Sequence, residues 1–342
     1  MSLAMMLPLQ KILLTINLVD WQSIAIAVFL FLIFMVTIAW FYFVNYFDCD
    51  LSLYLNRILL KLKQERDCYI KGKVVWITGA SSGIGEALAY ELVPYNVKLV
   101  LSGRNEERIQ KVKQNCISKG CSNSNIITIT FDIRNREDHQ IALESVLQRF
   151  GKVDIFVNNA GTSQRSRFEL IESRVDQDLF DNNVFGGVNL TRLILKHWYD
   201  TNSKGHIVVT SSIVGKAALP ECASYTASKH ALHGYYECLR YEAASKGIII
   251  TMVCSGPVKT GIAAVSYTGT YGILLNGSVS SNRMSPKRHA ELMVCAIETR
   301  LEEVWITIQP FLWYCYAHQY FPTLSKRWLI NMANNLSKSR DN

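Results

Sequence analysis

The sequence predicts an α/β fold in which a doubly wound parallel sheet carries helices on both faces, preceded by one transmembrane helix near the N-terminus. Three observations lead to this prediction. Short apolar runs alternate with helical stretches along most of the chain. The first of these runs leads directly into a glycine-rich turn and then into a helix. A long uncharged apolar segment, residues 21–47, precedes the alternating pattern.

The composition excludes several classes of protein. The 342 residues are 49% hydrophobic and 19% charged, which is ordinary for a folded chain. The net charge of +8 comes from dispersed basic residues, so no nucleic-acid partner is predicted. Nine cysteines, an odd number without a C-x-x-C pair, argue against a zinc site or a complete disulfide framework. Cys254 and Cys295 stand in apolar runs and are predicted to be core residues.

The apolar segment at residues 21–47 is predicted to be a membrane anchor. It contains no charged residue and exceeds the roughly 20 residues that a helix needs to cross a bilayer. Its length and the lack of a small-residue cleavage site argue against a signal peptide. Trp40, Tyr42 and Tyr46 near one end suit the aromatic belt at a membrane interface. The alternative is a buried core helix, although such helices rarely extend this far without a charge.

Five segments follow from this reading of the chain. Residues 1–20 are a short N-terminal segment, 21–47 the anchor, 48–71 a basic amphipathic connector, 72–310 the α/β domain and 311–342 an aromatic C-terminal extension. The connector places apolar residues between basic ones, a pattern that suits a membrane surface. A plain solvated helix is the alternative for the connector.

The glycine-rich turn predicts a dinucleotide site. Residues 74–78 form an apolar strand, the turn from Gly79 to Gly85 follows at once, and a helix begins at Glu86. Strand, glycine turn and helix in this order are the context that a dinucleotide-binding fingerprint requires. Glycines let the backbone approach a pyrophosphate, and the helix N-terminus offers amides and a positive dipole end. The doubly wound fold is therefore predicted to be of the Rossmann type.

Residues at the ends of the next strands indicate which dinucleotide binds. The strand at residues 97–102 is followed by Arg104, which suits a 2′-phosphate, whereas an acidic residue there would suit a free 2′-hydroxyl. NADP(H) is therefore favoured over NAD(H), and an ordinary surface arginine is the alternative. The third strand ends at Asp132, which could accept a hydrogen bond from the adenine amino group. A fourth apolar strand begins at Val153 and ends over the same site.

Tyr225 and Lys229 form a candidate catalytic pair. They are four residues apart at the start of a predicted helix, residues 225–245, so both side chains lie on one face, and Gly247 follows as a C-terminal stop. A phenol with a pKa of about 10 is a poor acid or base at neutral pH, but a neighbouring ammonium lowers that pKa. Ser212 ends the preceding strand, at the sheet edge where ligands bind. Alone, such a pair is common on protein surfaces.

Four motifs in one order make the chain similar to the short-chain dehydrogenase/reductase family over about residues 70 to 310. They are Thr78-Gly79-Ala80-Ser81-Ser82-Gly83-Ile84-Gly85, Asn158-Asn159-Ala160-Gly161, Asn183-Val184-Phe185-Gly186, and Ser212 followed by Tyr225-x-x-x-Lys229. Within the family the chain most resembles the membrane-anchored dehydrogenase/reductase member 7 group. It also resembles the 11β-hydroxysteroid dehydrogenases, which share an N-terminal anchor.

The resemblance implies a role for each motif. Tyr225 donates a proton to a carbonyl oxygen as hydride arrives, or removes the alcohol proton in the reverse direction. Lys229 lowers the tyrosine pKa and hydrogen-bonds the nicotinamide ribose, Ser212 polarises the carbonyl, and Asn183 holds a water that links Lys229 to solvent. Ser255 stands where the family usually has proline. The implied cofactor-binding residues are Gly79, Ser81, Ser82, Gly83, Ile84, Gly85, Arg104, Asp132, Asn159, Tyr225, Lys229, Val258 and Thr260.

Two further segments bear on the substrate. Residues 261–286, rich in Gly, Ser and Thr, match the family's substrate lid, which suits closure over a ligand. A disordered excursion is the alternative. Residues 310–322 are strongly aromatic and nearly uncharged. They either rest on the membrane where an apolar substrate would enter, or pack on the core or on the second subunit of a homodimer.

These features leave two classes of function. The first is an active NADP(H)-dependent oxidoreductase that interconverts apolar carbonyls and alcohols, such as steroids, retinoids or lipid aldehydes. The second is a membrane-tethered scaffold that keeps the fold to sense the cofactor. The complete set of Ser212, Tyr225, Lys229 and Asn183 favours the enzyme, because a scaffold need not keep it.

Charges around the apolar segment predict the orientation of the domain. Lys11 precedes the segment, and the basic residues soon after it are Arg57, Lys61, Lys63 and Arg66. The positive-inside rule therefore places the domain on the cytoplasmic side of a single-pass anchor, which we expect in the endoplasmic reticulum membrane. The 11β-hydroxysteroid dehydrogenases, whose domains face the lumen, point to the other side. A luminal domain would offer the glycosylation sequons at Asn276 and Asn335, whereas the sequon at Asn189 lies on a helix that is predicted to be packed.

Two histidines raise the question of a metal. His230 and His233 flank one turn of the predicted helix. No cysteine or carboxylate stands near them at metal-ligand spacing in the sequence. No metal site is therefore predicted.

Overall fold

The computed structural model of the protein describes residues 21–62, 68–263, 265–275 and 283–338. Positions named above that lie outside the described residues are the segment 1–20 with Lys11, the basic residues Lys63 and Arg66, and the sequon at Asn276. The chain divides into two compact units, Met1–Phe47 and Asp48–Asn342. Each unit is described by itself.

The first unit contains one long apolar helix, α1 (Trp21–Tyr46). Its 26 residues correspond to about 39 Å at 1.5 Å per residue, which exceeds a bilayer hydrocarbon core of about 30 Å. The window Ser23–Tyr42 has a mean hydropathy of 2.8 and none of it is buried. Within the described residues, α1 is the one helix whose length and composition would allow it to cross a membrane.

The second unit is built on a parallel sheet. Its strands are β1 (Val74–Thr78), β2 (Lys98–Gly103), β3 (Ile126–Thr130), β4 (Ile155–Asn158), β5 (His206–Ser212), β6 (Ile249–Ser255) and β7 (Glu303–Ile306). They are arranged in the order β3-β2-β1-β4-β5-β6-β7, and all neighbouring pairs are parallel. The order changes direction between β1 and β4, the position at which doubly wound sheets bind ligands. The predicted fold class is confirmed.

Helices cover both faces of this sheet. They are α2 (Leu51–Leu62), α3 (Gly83–Leu92), α4 (Glu106–Ser118), α5 (Glu137–Phe150), α6 (Ser173–Phe180), α7 (Gly186–Asp200), α8 (Ala223–Ala243), α9 (Pro286–Thr299), α10 (Phe311–Tyr320) and α11 (Pro322–Lys338). Strand β1 feeds two cores, because successive side chains of a strand point to opposite faces. Val75 and Ile77 pack in one core, and Val74 and Trp76 in the other. Burial on both faces explains why this strand is apolar throughout.

Strand β6 was not predicted from the sequence. It lies between β5 and β7 and is almost entirely buried. The predicted core residues Cys254, in β6, and Cys295, in α9, are both buried. Gly247 has a φ of +72° and ends the turn after α8, as expected of a C-terminal stop.

The connector is part of the second unit. Cys49 and Leu53 are fully buried, whereas Leu55 and Leu59 are exposed. The Asp50 carboxylate accepts hydrogen bonds from the backbone N–H groups of Leu53 (3.1 Å) and Trp305 (2.6 Å). The compact unit therefore begins at Asp48, earlier than the predicted domain start at residue 72. Only one face of α2 remains for a membrane surface or solvent.

The aromatic C-terminal extension forms α10 and α11. Leu312, Tyr314 and Cys315 are buried, so the first of these helices packs on the core. The two large apolar side chains Phe321 and Leu324 are exposed by 62% and 64%. The extension thus combines a face that packs on the core with a face that does not.

Candidate active site

A large cavity opens at the carboxyl ends of the strands. Its volume is about 1140 Å³, above the range of about 300–1,000 Å³ that is usual for one small-molecule site. Its walls come from the glycine turn after β1, the segments after β2, β4, β5 and β6, and the lid. The cavity is therefore large enough to hold two ligands side by side.

The glycine turn forms one wall because its backbone requires glycine. Gly79 and Gly83 have φ values of +63° and +64°, which L side chains rarely adopt. A Cβ at Gly79 would lie 2.8 Å from Ala160 Cα, and one at Gly83 would lie 3.0 Å from Thr260 Cγ2. Helix α3 starts at Gly83, and Gly83 and Ile84 in its first turn line the cavity. This arrangement is suited to a pyrophosphate.

Other predicted residues of the turn divide into two groups. Ser81, Ser82 and Ile84 line the cavity together with Gly79 and Gly83. Gly85 lies behind the wall, where a Cβ would be 2.6 Å from Asn159 Nδ2 and from the Gly79 carbonyl oxygen. Gly85 therefore allows the close packing of α3 on the end of β4.

Asn159 connects three strands at this point. Its Nδ2 donates to the carbonyl oxygen of Thr78 at 2.9 Å, and its Oδ1 accepts from Thr210 Oγ1 at 3.1 Å. The Thr78 hydroxyl in turn accepts from the backbone N–H groups of Asn159 and Ala160. The side chain thus fixes the ends of β1, β4 and β5 under the glycine turn.

Replacement of Gly85 by alanine is expected to destabilise the domain by about 1–3 kcal/mol, because the added methyl group overpacks a rigid contact. The clash with Asn159 and the Gly79 carbonyl would also displace the turn that faces the cavity. Thermal unfolding and dinucleotide binding by isothermal calorimetry measure the two effects. Gly234→Ala is the matched control, since nothing lies within 4 Å of a Cβ at Gly234. Equal stability of the two variants would contradict the assigned packing role.

Basic side chains surround the far end of the cavity. Arg104 follows β2, lines the cavity and has 60% of its side chain exposed. Arg108 and Arg134 line the same end and were not identified from the sequence. Asn105 caps α4 by accepting a hydrogen bond from the Arg108 backbone N–H. Arg104 and Arg108 therefore lie at the start of that helix. The arrangement supplies positive charge where the end of a dinucleotide would lie.

Asp132 is held by Arg134 and does not line the cavity. The guanidinium of Arg134 contacts the Asp132 carboxylate at 2.7 Å and that of Asp178 at 2.6 Å. Burial would raise the pKa of Asp132, but the hydrogen bonds from Arg134 outweigh it and the pKa is lowered. The carboxylate is therefore charged, and Arg134 is the neighbouring side chain that faces the cavity.

The three candidate catalytic side chains meet at the other end. Ser212, Tyr225 and Lys229 all line the cavity, from the end of β5 and the first turns of α8. Ser212 donates a hydrogen bond to the Ser255 carbonyl oxygen at 3.1 Å and also contacts the Tyr225 hydroxyl. The Lys229 ammonium donates to the Thr210 carbonyl oxygen at 2.9 Å and lies 5.7 Å from the Tyr225 ring centroid.

Burial governs the charge state of this group. Desolvation raises the pKa of Tyr225, and contacts with Ser212 and the charge of Arg165 only partly offset it. Desolvation lowers the pKa of Lys229 to about 8. Lys229 is expected to lower the tyrosine pKa, and the net pKa of Tyr225 is nevertheless raised, because burial outweighs the contacts and charges that act on the phenol. Tyr225 is accordingly a protonated phenol at neutral pH, the state needed in a proton donor.

Asn183 lies behind the cavity in a wide helical turn, Asp181–Phe185, between α6 and α7. Such turns interrupt helices mostly at functional sites. Its Nδ2 donates to the Thr162 carbonyl oxygen (2.9 Å) and to Ser228 Oγ (3.1 Å), and its Oδ1 accepts from the Thr162 backbone N–H. Asn183 therefore ties the segment after β4 to the helix that carries Lys229.

The segment after β6 completes the reacting end of the cavity. Val258 and Thr260 line it, and Val258 is bridged to Met284 beyond the lid. Ser255, at the position usually held by proline, has its hydroxyl 2.9 Å from His289 Nε2. This contact with α9 fixes the side chain at the end of β6.

The described part of the lid is attached to the segment after β4. Tyr267 donates its backbone N–H to the Ser163 carbonyl oxygen and accepts from the Arg165 N–H, both at 2.9 Å. Its hydroxyl also donates to Asp178. Gly269 accepts a hydrogen bond from the Glu172 N–H at 2.9 Å. Backbone hydrogen bonds therefore hold the described lid residues against the segment after β4, at the wall of the cavity.

His233 contacts side chains from other elements that were not predicted from the sequence. The side chains of His233, Cys254 and Glu303 approach one another from α8, β6 and β7. The Glu303 carboxylate is already paired with Lys216 at 2.7 Å, and His233 Nε2 lies 3.1 Å from Ser211 Oγ. Lys216 neutralises the Glu303 carboxylate that would otherwise attract a cation, so this cluster is an ion-pair network.

Comparison with known proteins gives a consistent result. A family model for short chain dehydrogenases matches residues 73–269, more than half of the chain. Dehydrogenase/reductase SDR family member 7 of Homo sapiens is 41% identical over 271 residues, 78% of each chain. The member 7B protein of Danio rerio is 38% identical over 225 residues, which cover 64% of this chain and 72% of that protein.

Two solved structures of similar fold were determined with a dinucleotide bound. A short chain dehydrogenase/reductase from Burkholderia phymatum in complex with NAD is 25% identical, with a TM-score of 0.66 over 75% of this chain and 95% of that one. An alcohol dehydrogenase from Thermococcus sibiricus complexed with 5-hydroxy-NADP is also 25% identical, with a TM-score of 0.60 over 68% and 95%.

Proposed function

Because this chain belongs to the short-chain dehydrogenase/reductase family, we propose that it is a membrane-anchored, NADP(H)-dependent oxidoreductase that interconverts apolar carbonyls and alcohols. The observation that carries the proposal is the meeting of Ser212, Tyr225 and Lys229 in one cavity with the glycine turn. Steroids, retinoids and lipid aldehydes are the substrate classes that we infer.

The residues present fit a nicotinamide dinucleotide. The glycine turn packs directly on the segments after β4 and β6, where a Cβ at Gly79 or Gly83 would collide, and Gly83 and Ile84 in the first turn of α3 line the cavity. When bound, the cofactor supplies the hydride that forms the new C–H bond at the carbonyl carbon, and is itself oxidised. Lys229 would hold the nicotinamide ribose, and Val258 and Thr260 would contact the carboxamide.

The side chains of this chain supply the proton and orient the carbonyl. In reduction, the Tyr225 hydroxyl gives its proton to the carbonyl oxygen as the C=O π bond breaks, and the alcohol forms. Ser212 would turn its hydroxyl from the Ser255 carbonyl oxygen to donate a hydrogen bond to the same substrate oxygen and position it. The raised pKa of Tyr225 keeps the phenol protonated at neutral pH. Asn183 positions the α8 segment that carries Lys229, and we propose that it also holds a water that links Lys229 to solvent.

Arg104→Asp is expected to shift the cofactor preference from NADPH towards NADH. A charge-assisted contact with a phosphate is worth about 1.5–3 kcal/mol, so the ratio of kcat/KM values for the two cofactors should change about tenfold or more. Lys111→Asp, an exposed change on the same helix, is the control. If the ratio is unchanged by Arg104→Asp, another residue, such as Arg108 or Arg134, reads the phosphate.

The anchor suits an enzyme of membrane-soluble substrates. We propose that α1 crosses the endoplasmic reticulum membrane once and that the α/β unit faces the cytoplasm. The support is the distribution of basic residues, with Lys11 before the apolar segment and Arg57, Lys61, Lys63 and Arg66 after it.

Protease treatment of intact microsomes is expected to degrade the α/β unit, because a cytoplasmic domain is accessible from outside. Detergent-treated microsomes serve as the control for full digestion. A protected domain whose mobility shifts after endoglycosidase treatment would place it in the lumen. That result would overturn the orientation but leave the anchor and the chemistry intact.

A further inference from the structure

Arg165 occupies a fixed place at the mouth of the cavity. It lines the same cavity as Tyr225. Its backbone N–H donates to the Tyr267 carbonyl oxygen in the lid at 2.9 Å, and the next residue, Ser166, donates to the Glu221 carbonyl oxygen at 3.0 Å. The backbone that carries this guanidinium is thus held from two sides, and the exposed side chain extends from a defined position.

Within the part of the chain that the structure describes, the guanidinium of Arg165 has no counter-charge. Two nearby arginines have partners: Arg167 pairs with Glu169 at 2.8 Å, and Arg174 lies 4.1 Å from the Tyr271 ring centroid. Among the described residues, none forms a hydrogen bond or ion pair with the side chain of Arg165. The lid sequence, residues 261–286, contains no Asp or Glu that could neutralise it. An arginine in such a position is suited to bind a carboxylate in two parallel hydrogen bonds.

The charge of Arg165 acts on Tyr225, at the reacting end of the cavity. Burial raises the pKa of Tyr225, and the charge of Arg165 partly offsets that rise. Arg104 and Arg134 instead act on Tyr267, whose pKa burial and Asp178 raise to about 12 and the two arginines only partly offset. The proposed pyrophosphate and 2′-phosphate sites are at the glycine turn and Arg104. Arg165 is therefore available to a second ligand.

Apolar side chains in the walls of the cavity indicate the chemistry of the rest of that ligand. Leu219, Val265, Leu274 and Phe311 are apolar side chains that line the cavity. Burial of apolar area stabilises binding of an apolar body, while a single cation at the mouth selects a charged end. We propose that the substrate is an amphipathic carbonyl or alcohol with a carboxylate, and that Arg165 binds this carboxylate while the reacting carbonyl lies at Tyr225. This inference rests on the function proposed above.

The test compares a mid-chain oxo fatty acid with its methyl ester, using the full-length protein in detergent and saturating NADPH. In the wild type, kcat/KM for the acid should exceed that for the ester by about tenfold, since the ester removes a charge-assisted contact. Arg165→Met should bring this ratio close to one, because the acid loses its charge-assisted contact and the ester has none to lose. Arg165→Lys keeps the charge and should keep part of the preference. Arg167→Met, outside the cavity, should behave as the wild type.

The outcomes separate this inference from the proposed function. An acid-to-ester ratio that is the same in wild type and Arg165→Met would overturn the inference. An equal loss of kcat for the acid and the ester in Arg165→Met would also overturn the inference. That result would mean that Arg165 acts only through its effect on Tyr225. Reduction of the ester but not of the acid would reject the inference and leave the proposed function standing. Failure to reduce either compound or any neutral lipid carbonyl would reject the proposed function and the inference with it.

Discussion

Tyr225→Phe is expected to lower kcat for carbonyl reduction by about 10²- to 10⁴-fold, the usual contribution of a general acid. The substitution removes only the hydroxyl, and the ring keeps its place at the start of α8. NADPH should therefore still bind, because the glycine turn and the α3 amides are unchanged. Steady-state kinetics and NADPH binding by calorimetry measure the two quantities separately.

Tyr235→Phe is the matched control for this variant. Tyr235 lies on the same helix, is 41% exposed and does not line the cavity. Its loss of a hydroxyl should leave kcat within about twofold of the wild type. Retention of more than a small fraction of the activity by Tyr225→Phe would remove the tyrosine from the proposed proton transfer.

Lys229→Ala is expected to lose both activity and cofactor affinity, because one ammonium is proposed to serve both. Its side chain is 5% exposed and bonds the Thr210 carbonyl oxygen, next to Tyr225. Burial of this charge already lowers its pKa to about 8. Removing an ammonium whose charged form is disfavoured by burial should not unfold the domain. Thermal unfolding of the variant checks this point.

The same group predicts a pH dependence. Lys229 is protonated below its pKa of about 8 and loses its proton as the pH rises through that value. The reductive kcat/KM should therefore be level below that pH and decline above it. Lys196→Ala, an exposed lysine on α7, should keep the wild-type profile. An unchanged activity in Lys229→Ala, or a profile that stays level above the stated pH, would contradict this role.

Much of the fold was predictable because its signals are local. The apolar runs of β1 and β5 lead directly to Gly79 and Ser212, and both strands were found where expected. β6 was missed, although its apolar run was recognised at Cys254. Burial of Leu53 in the connector was not predicted, because it depends on contacts of α2 with α9 and β7 that lie far along the chain.

The site was predictable only where its residues stand in motifs. Ser212, Tyr225 and Lys229 carry a fixed spacing, and the structure places them in one cavity. Arg134 and Arg165 have no such spacing, and their positions depend on Asp178 and on the lid. The pKa of Tyr225 was expected to be low from its distance to Lys229 in sequence. The structure gives a raised pKa because the degree of burial is a tertiary property.

The measurement that tests the central claim most directly is NADPH oxidation by the purified full-length protein with a panel of steroid, retinoid and lipid carbonyls. The account predicts that NADPH absorbance falls in step with formation of the alcohol for at least one of them. The same assay with Tyr225→Phe should show no more than the background rate. Binding of NADPH without oxidation across the whole panel, in a protein shown to be folded, would contradict the account and favour a cofactor-sensing scaffold.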